Sequence, residues 1–159
     1  MFSTAEDRAG YLLLSLLQAR VGTSLIRKLA GEPPGRLLSF PPGELEREHG
    51  LGPRAAGELA ALRETFDAGT LLRELAERGI SVLTPADGGY PGALREIPDP
   101  PPALFVDGEL PAGEAVAVVG SRKPSPGGLD VARRLGRELA GRGVCVVSGL
   151  ALGRALIHI

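Results

Sequence analysis

Gly120-Ser121-Arg122-Lys123 is the run in this chain whose residue types and spacing could do chemistry. The chemistry would be the holding of an anion. Arg122 and Lys123 bring two full positive charges. Two residues on, Ser125-Pro126 opens a helical pattern: serine can cap a helix, and proline fits its first position, where a missing N–H costs nothing. The N-terminus of that helix would offer free N–H groups and partial positive charge, so phosphate is the expected guest. Ser148-Gly149 closes a second apolar run, Val144-Cys145-Val146-Val147.

The elements that must position these residues form a strand, a turn, a helix and a strand. Val116-Ala-Val-Val119 is short and apolar, as a parallel strand covered on both faces should be. Leu129, Ala132, Leu135, Gly136 and Leu139 make one face at helical spacing. The unit reads as βαβ, with Gly120, Ser121 and Arg122 at the carboxyl end of its first strand, where ligands bind in open α/β sheets. A dinucleotide site is disfavoured, because G-x-G-x-x-G is missing and a long arginine stands where close backbone approach is needed. A P-loop fails for want of Gly-Lys-Ser/Thr. A polymer backbone or a small phosphorylated ligand remains. The bland alternative is that Arg122 caps a carbonyl or pairs with a carboxylate.

Charge favours the polymer. The net charge of −1 conceals 7 basic and 3 acidic groups in residues 113–159, against 3 and 8 in residues 65–112. Polyanion binding is electrostatic first. Asp130–Arg134 and Arg134–Glu138 read as ordinary i,i+4 pairs, which leaves Arg133 and Arg137 for an extended basic face. Aromatic residues make up only 4% of the chain, so base stacking has few candidates.

Val-Gly-Ser-Arg-Lys-Pro-Ser-Pro-x-Gly, a helix, then Val-Val-Ser-Gly-Leu-Ala-x-Gly resembles the DprA (Smf) DNA-processing proteins of bacterial natural transformation. Tyr90-Pro91, Leu94, Ile97, Asp99-Pro100-Pro101 and Leu104-Phe105-Val106-Asp107-Gly108 resemble an upstream segment of the same family, and the likeness runs from about residue 8 to residue 153. It implies a sequence-independent single-stranded DNA-binding protein that loads the RecA recombinase, with no enzymatic activity and no cofactor. The family's DNA-backbone pocket carries over to Gly120, Ser121 and Arg122, and beyond them to Lys123, Ser148 and Gly149. Two departures stand out. Gly127 replaces a usual tyrosine, and the tail Gly153-Arg-Ala-Leu-Ile-His-Ile159 departs from the family's Ile-Asp-x-x-x-His. The tail is expected to be a truncated or frameshifted end, lacking the surface for RecA contact and leaving an edge open to self-association. Two rivals are a nucleotide phosphoribohydrolase-like enzyme, whose Pro-Gly-Gly-x-Gly-Thr is unmatched beyond Pro126-Gly127-Gly128, and an inert truncated fragment.

The fold class expected is α/β: a small all-helical domain over 1–65, then an incomplete Rossmann-like parallel-sheet domain over 66–159. In the helical part, Pro33-Pro34-Gly35 and Pro41-Pro42-Gly43 read as stops. Gly50-Leu51-Gly52-Pro53-Arg54 resembles the turn of a helix-hairpin-helix module, and Val21-Gly22-Thr23 is a weaker echo. Gly50, Gly52 and Arg54, with Arg27 as support, are candidate DNA contacts. Protein contact, as in sterile-alpha-motif-like folds, fits the same pattern. Leu71, Leu72 and Leu75 mark a linking helix capped by Gly79; Ile80–Thr84 and Ala103–Val106 read as strands that can add to the sheet, and Pro98–Pro102 as a rigid connector. Asp87, Glu96, Asp99, Asp107 and Glu109 follow no metal-ligand spacing and read as a solvated loop. His49 and His158 lack triad partners, and Cys145 reads as a small core residue. The start lacks a basic n-region and Leu12–Leu17 is too short to span a bilayer, so a cytoplasmic protein with no membrane contact is expected.

Overall fold

The computed structural model describes residues 4–22, 27–29, 31–110, 113–121 and 123–149. Contacts divide the chain into two compact units, Met1–Gly108 and Glu109–Ile159. Helices and small sheets are mixed, in keeping with an α/β class. The tail 150–159 and residues 23–26, where the weaker hairpin echo ends, lie outside the described residues.

The first unit is built on helix α1 (Ala5–Val21). Thr4 caps it, accepting from the Asp7 N–H, while the Asp7 carboxylate accepts from the Thr4 N–H. These bonds hold the Asp7 carboxyl below the usual carboxylate range, the Thr4 side chain contributing most. Leu17 lies four residues after Leu13 and three after Leu14, and all three enter one core with Phe40, Leu59 and Leu62. Leu12, turned aside, enters a second cluster with Val82 and Ala103.

The prolines read as stops turn out to begin elements. A 3₁₀ helix, η1 (Pro34–Leu38), and helix α2 (Pro42–His49) each start on the second proline of a pair. A proline at the first helical position loses no hydrogen bond and already has helical φ, so one residue can end one element and open the next. Gly10 lets α1 and η1 cross at backbone contact: a Cβ there would stand 1.9 Å from the Pro34 oxygen. Helix α3 (Pro53–Thr65) then locks η1. Its Arg63 donates through Nε to the Leu37 carbonyl at 2.7 Å, through Nη1 to the Phe40 carbonyl at 2.5 Å, and through Nη2 to Leu37 again. Burial pulls the Arg63 pKa down, but its bonds all require the charged fork.

Helix α4 (Ala68–Glu77) is capped by Asp67, and its Leu71, Leu72 and Leu75 pack on the Leu12 cluster as their spacing requires. Gly79 follows with φ +74°, a left-handed turn that suits glycine. Strands β1 (Ile80–Leu83) and β2 (Leu104–Asp107) pair antiparallel, Ile80 opposite Asp107. They do not extend the parallel sheet as expected. The connection between them holds only a one-turn helix, α5 (Gly92–Arg95), and a proline run, with no long crossover helix to return the chain in parallel.

Of the acidic residues expected to be solvated, Glu96, Asp107 and Glu109 are exposed, but Asp87 and Asp99 are held by partners. The Asp87 carboxylate accepts from the Thr84 N–H at 2.7 Å and its hydroxyl at 2.9 Å, and Arg8 of α1 approaches it at 3.5 Å. Tyr90 is buried and donates to the Pro101 carbonyl at 2.8 Å. Arg95 donates to the Pro85 carbonyl and lies over the Tyr90 ring. Asp99 meets Arg27 at 2.9 Å.

The second unit holds strand β3 (Ala115–Ala117), helix α6 (Pro126–Ala140) and strand β4 (Cys145–Val147). β3 and β4 are parallel, with Ala115 opposite Cys145 and Ala117 opposite Val147. This is the βαβ order the sequence suggests. The expectation of a strand covered on both faces fails: all three β3 residues are exposed, Val116 to 41%. Two strands and one helix leave apolar surface bare. Among the described residues no helix is long and apolar enough to cross a membrane.

Candidate nucleic-acid interface

Because β3 and β4 run parallel and end in register, both chains leave the sheet at one edge. The Val118 N–H donates to the Val147 carbonyl at 2.9 Å, just before they part. Gly120, Ser121, Lys123, Ser148 and Gly149 therefore all follow the carboxyl ends of the two strands. Gly120, Ser121, Lys123 and Gly149 are exposed, and Ser148 is half-buried. Arg122, the central residue of the sequence-derived site, lies outside the described residues.

The loop is shaped by its own hydroxyl. Ser121 Oγ accepts from the Lys123 N–H at 3.1 Å and donates to the Lys123 carbonyl at 3.3 Å. That ring stands in for a backbone turn. The hydroxyl is thus occupied in folding the loop.

The N-terminus of α6 has fewer free donors than the sequence pattern suggests. Ser125 Oγ accepts from the Gly128 N–H at 3.2 Å, and the Leu129 N–H already bonds the Ser125 carbonyl. Pro126 has no N–H. Among the first three helical residues that leaves the N–H of Gly127, an exposed residue with open space beside its Cα, together with the helix dipole.

Ser148 supplies the clearest sign of a missing partner. Its Oγ is buried and makes no hydrogen bond. Two other buried polar atoms among the described residues also lack hydrogen bonds, but each lies beside an ionisable side chain. His49 Nε2 lies 3.7 Å from a Glu32 oxygen, and Asp99 Oδ1 lies 2.9 Å from Arg27 Nε in an alignment unsuited to a hydrogen bond. Ser148 has no such compensation. An unsatisfied buried polar group costs about 1–3 kcal/mol.

The basic face of α6 differs in detail from its sequence reading. Asp130 approaches Arg133, one turn on, at 3.8 Å, and not Arg134; Arg134 approaches Glu138 at 3.9 Å as expected. Arg133 is therefore paired. Arg137 is exposed and has no ion-pair partner among the described residues. Both pairs are long and exposed, and such pairs contribute about 0–1 kcal/mol. With a rise of about 1.5 Å per residue, Arg133 and Arg137 stand roughly 10 and 16 Å along the axis from Pro126. They lie on the helix flank, outside the loop site.

The family model described as DNA recombination-mediator protein A matches residues 81–156. A Protein Smf from Synechocystis is 32% identical over an alignment that takes in 93% of this chain and 39% of the relative. The chain belongs to the DprA/Smf family. A DNA processing protein DprA from Bacillus subtilis is 36% identical over 52% of the chain and 29% of its own length. A Protein Smf from Escherichia coli is 49% identical over 45% of the chain and 20% of its own length. The chain thus spans about two-fifths or less of the curated relatives it matches. No solved structure matches it significantly.

The DprA/Smf match begins in β1 and takes in Tyr90-Pro91 and Asp99-Pro100-Pro101, whose side chains the structure uses to tie the β1–β2 connection together. It also takes in the Gly120–Lys123 loop, all of α6, and Ser148-Gly149. The helical hairpin precedes it. There Gly50 has φ +58° and ends α2, and Gly52 precedes α3 without a side-chain cap. The cations around this turn bond the protein: Lys28 donates to the Gly50 carbonyl at 2.5 Å, Arg54 to the Arg20 carbonyl at 3.4 Å, and Arg27 meets Asp99.

Proposed function

We infer that this chain binds single-stranded DNA without reading its sequence, in DNA processing and recombination, and that it does no catalysis. The observation that carries the reading is the unpartnered Ser148 hydroxyl, at the same sheet edge as the exposed Gly120, Ser121 and Lys123 and the Gly127 N–H. A phosphate oxygen satisfies such a hydroxyl, and Lys123 and Arg122 supply countercharge. Phosphate contacts of this kind position a strand but read no bases.

The finer parts of the reading go with the family. Residues 1–65 would form a sterile-alpha-motif or helix-hairpin-helix-like domain, and residues 66–159 part of a Rossmann-like domain. The proposed protein partners are the RecA recombinase and a second copy of the chain, and the compartment is the cytoplasm. Gly50, Gly52 and Arg54 remain candidate contacts for DNA or protein.

Fluorescence anisotropy with labelled oligonucleotides tests the central claim. Single-stranded DNA of differing sequence should bind with similar affinity and better than duplex. Log affinity should fall against log salt with a slope of about −0.7 per phosphate neutralised. Tight, salt-insensitive binding of NAD or a nucleoside monophosphate, with no response to oligonucleotides, would overturn it.

A further inference from the structure

We propose that the DNA strand leaves the Gly120–Lys123 loop along the outer side of α6, on a track formed by Arg134, Arg137 and Arg142 beside the exposed Val131 and Leu135. This rests on the single-stranded DNA reading and extends it to a path and a minimum length. Leu129, Ala132, Gly136 and Leu139 turn inward, so the remaining sides of the helix face solvent. Arg134 and Arg137, three residues apart, share one side of it with Asp130, whose carboxylate approaches Arg133. Val131 and Leu135, four apart, share the neighbouring side and are 56% and 42% exposed. Arg142 lies in the turn after the helix and is exposed, and like Arg137 it has no ion-pair partner among the described residues.

Cations and apolar side chains laid side by side suit one kind of polyanion. A duplex presents phosphates but keeps its bases stacked inside. A single strand presents both, phosphates to the arginines and unstacked base faces to aliphatic surface. From Gly127 to Arg137 the helix rises about 15 Å, a span that only a strand of several nucleotides can follow. The Arg134–Glu138 contact, exposed and 3.9 Å long, yields easily to a phosphate. Aliphatic contact lacks the strength of aromatic stacking, so the track adds to affinity chiefly through charge.

The test compares dT4 with dT15 on the full chain, using Arg137→Gln/Arg142→Gln and a control of equal charge change in the first unit, Arg73→Gln/Arg78→Gln. The unaltered chain should bind dT15 at least tenfold more tightly than dT4. The α6 variant should lose most of that advantage, bind dT4 unchanged, and show a dT15 salt slope shallower by about 0.7 for each phosphate it no longer neutralises. The control variant should keep the advantage. Helical circular dichroism should be unchanged in both, since glutamine is nearly as good a helix former as arginine. Equal losses on dT4 and dT15, or equal losses in both variants, would overturn the track while leaving the loop site standing. Failure of the unaltered chain to bind either oligonucleotide would overturn the loop site and the track together.

Discussion

Alanine is the better helix former, yet Gly10→Ala should unfold this protein more readily. An ideal Cβ at position 10 would lie 1.9 Å from the Pro34 oxygen, 2.1 Å from its carbonyl carbon and 2.6 Å from the Gly35 nitrogen. Ordinary contact begins near 3.4 Å, so η1 must retreat by roughly 1.5 Å. All three opposing atoms are backbone, and none can rotate away. Retreat also loosens Leu37 and Phe40, which η1 and the residues after it deliver to the core. Overpacking of this kind costs about 1–3 kcal/mol, and opening the core adds to it, against about 1 kcal/mol regained from helix propensity. The net expectation is a loss of roughly 2–3 kcal/mol, or about 10 °C or more in Tm for a unit of this size. Gly57→Ala is the matched control. It sits exposed in α3 with nothing within 4 Å of the new carbon. It should stabilise by about 0.5–1 kcal/mol. Thermal and urea unfolding followed by circular dichroism read both. If Gly10→Ala stabilises as Gly57→Ala does, the close crossing of α1 and η1 is wrong.

Ser148→Ala should separate folding from binding: removing an unpartnered buried hydroxyl should leave stability unchanged or raise it by about 1 kcal/mol, while single-stranded DNA affinity falls, and a variant that destabilises without weakening binding would refute the ligand role. Arg122→Ala should weaken single-stranded DNA binding by roughly 1.5–3 kcal/mol with no change in helix signal, as measured by anisotropy and circular dichroism. Arg63→Met keeps the stem but strands the Leu37 and Phe40 carbonyls, and should cost about 2–3 kcal/mol in urea unfolding. Asp7 and Asp67 are both held below the usual carboxylate range, by the Thr4 side chain and the Thr70 N–H respectively. A depressed folded pKa gives stability that is present above the unfolded value of about 3.9 and is lost as pH falls through the lower folded value. Tm should therefore drop below about pH 4, and the drop should be shallower in Asp7→Asn/Asp67→Asn.

The second unit's elements are legible in sequence because each carries a local signal. Ser125-Pro126 sets the start of α6, the Leu129–Leu139 spacing sets its inner face except for Leu135, which is exposed, and the apolar runs on either side set two strands. Strand direction is not legible for β1 and β2. Four-residue, mostly apolar strands look alike in either orientation, and what decides the pairing is the lack of a crossover helix between them. The prolines at 34 and 42 mislead for a related reason: one ring both interrupts and initiates helices, and only the following residues tell which. The Asp87 cap has a readable trace in Thr84-x-x-Asp87, a hydroxyl and a carboxylate three residues apart.

The candidate site is legible in position but not in its donors. Sequence order alone puts Gly120–Lys123 and Ser148 at one sheet edge, because parallel strands joined by a helix must end together. It cannot tell which donors stay free. Ser121 spends its hydroxyl on the Lys123 backbone, and Ser125 spends its own on Gly128, so the two serines nearest the helix N-terminus are occupied. Ser148, the one furthest away in sequence, is left unpartnered. Hydrogen bonds between near neighbours form at little entropic cost, and they claim local serines first. A ligand is therefore best held by the residue that the fold, and not the local chain, brings to the site. That logic ranks Ser148 above Ser121 as the candidate hydroxyl for the proposed phosphate contact.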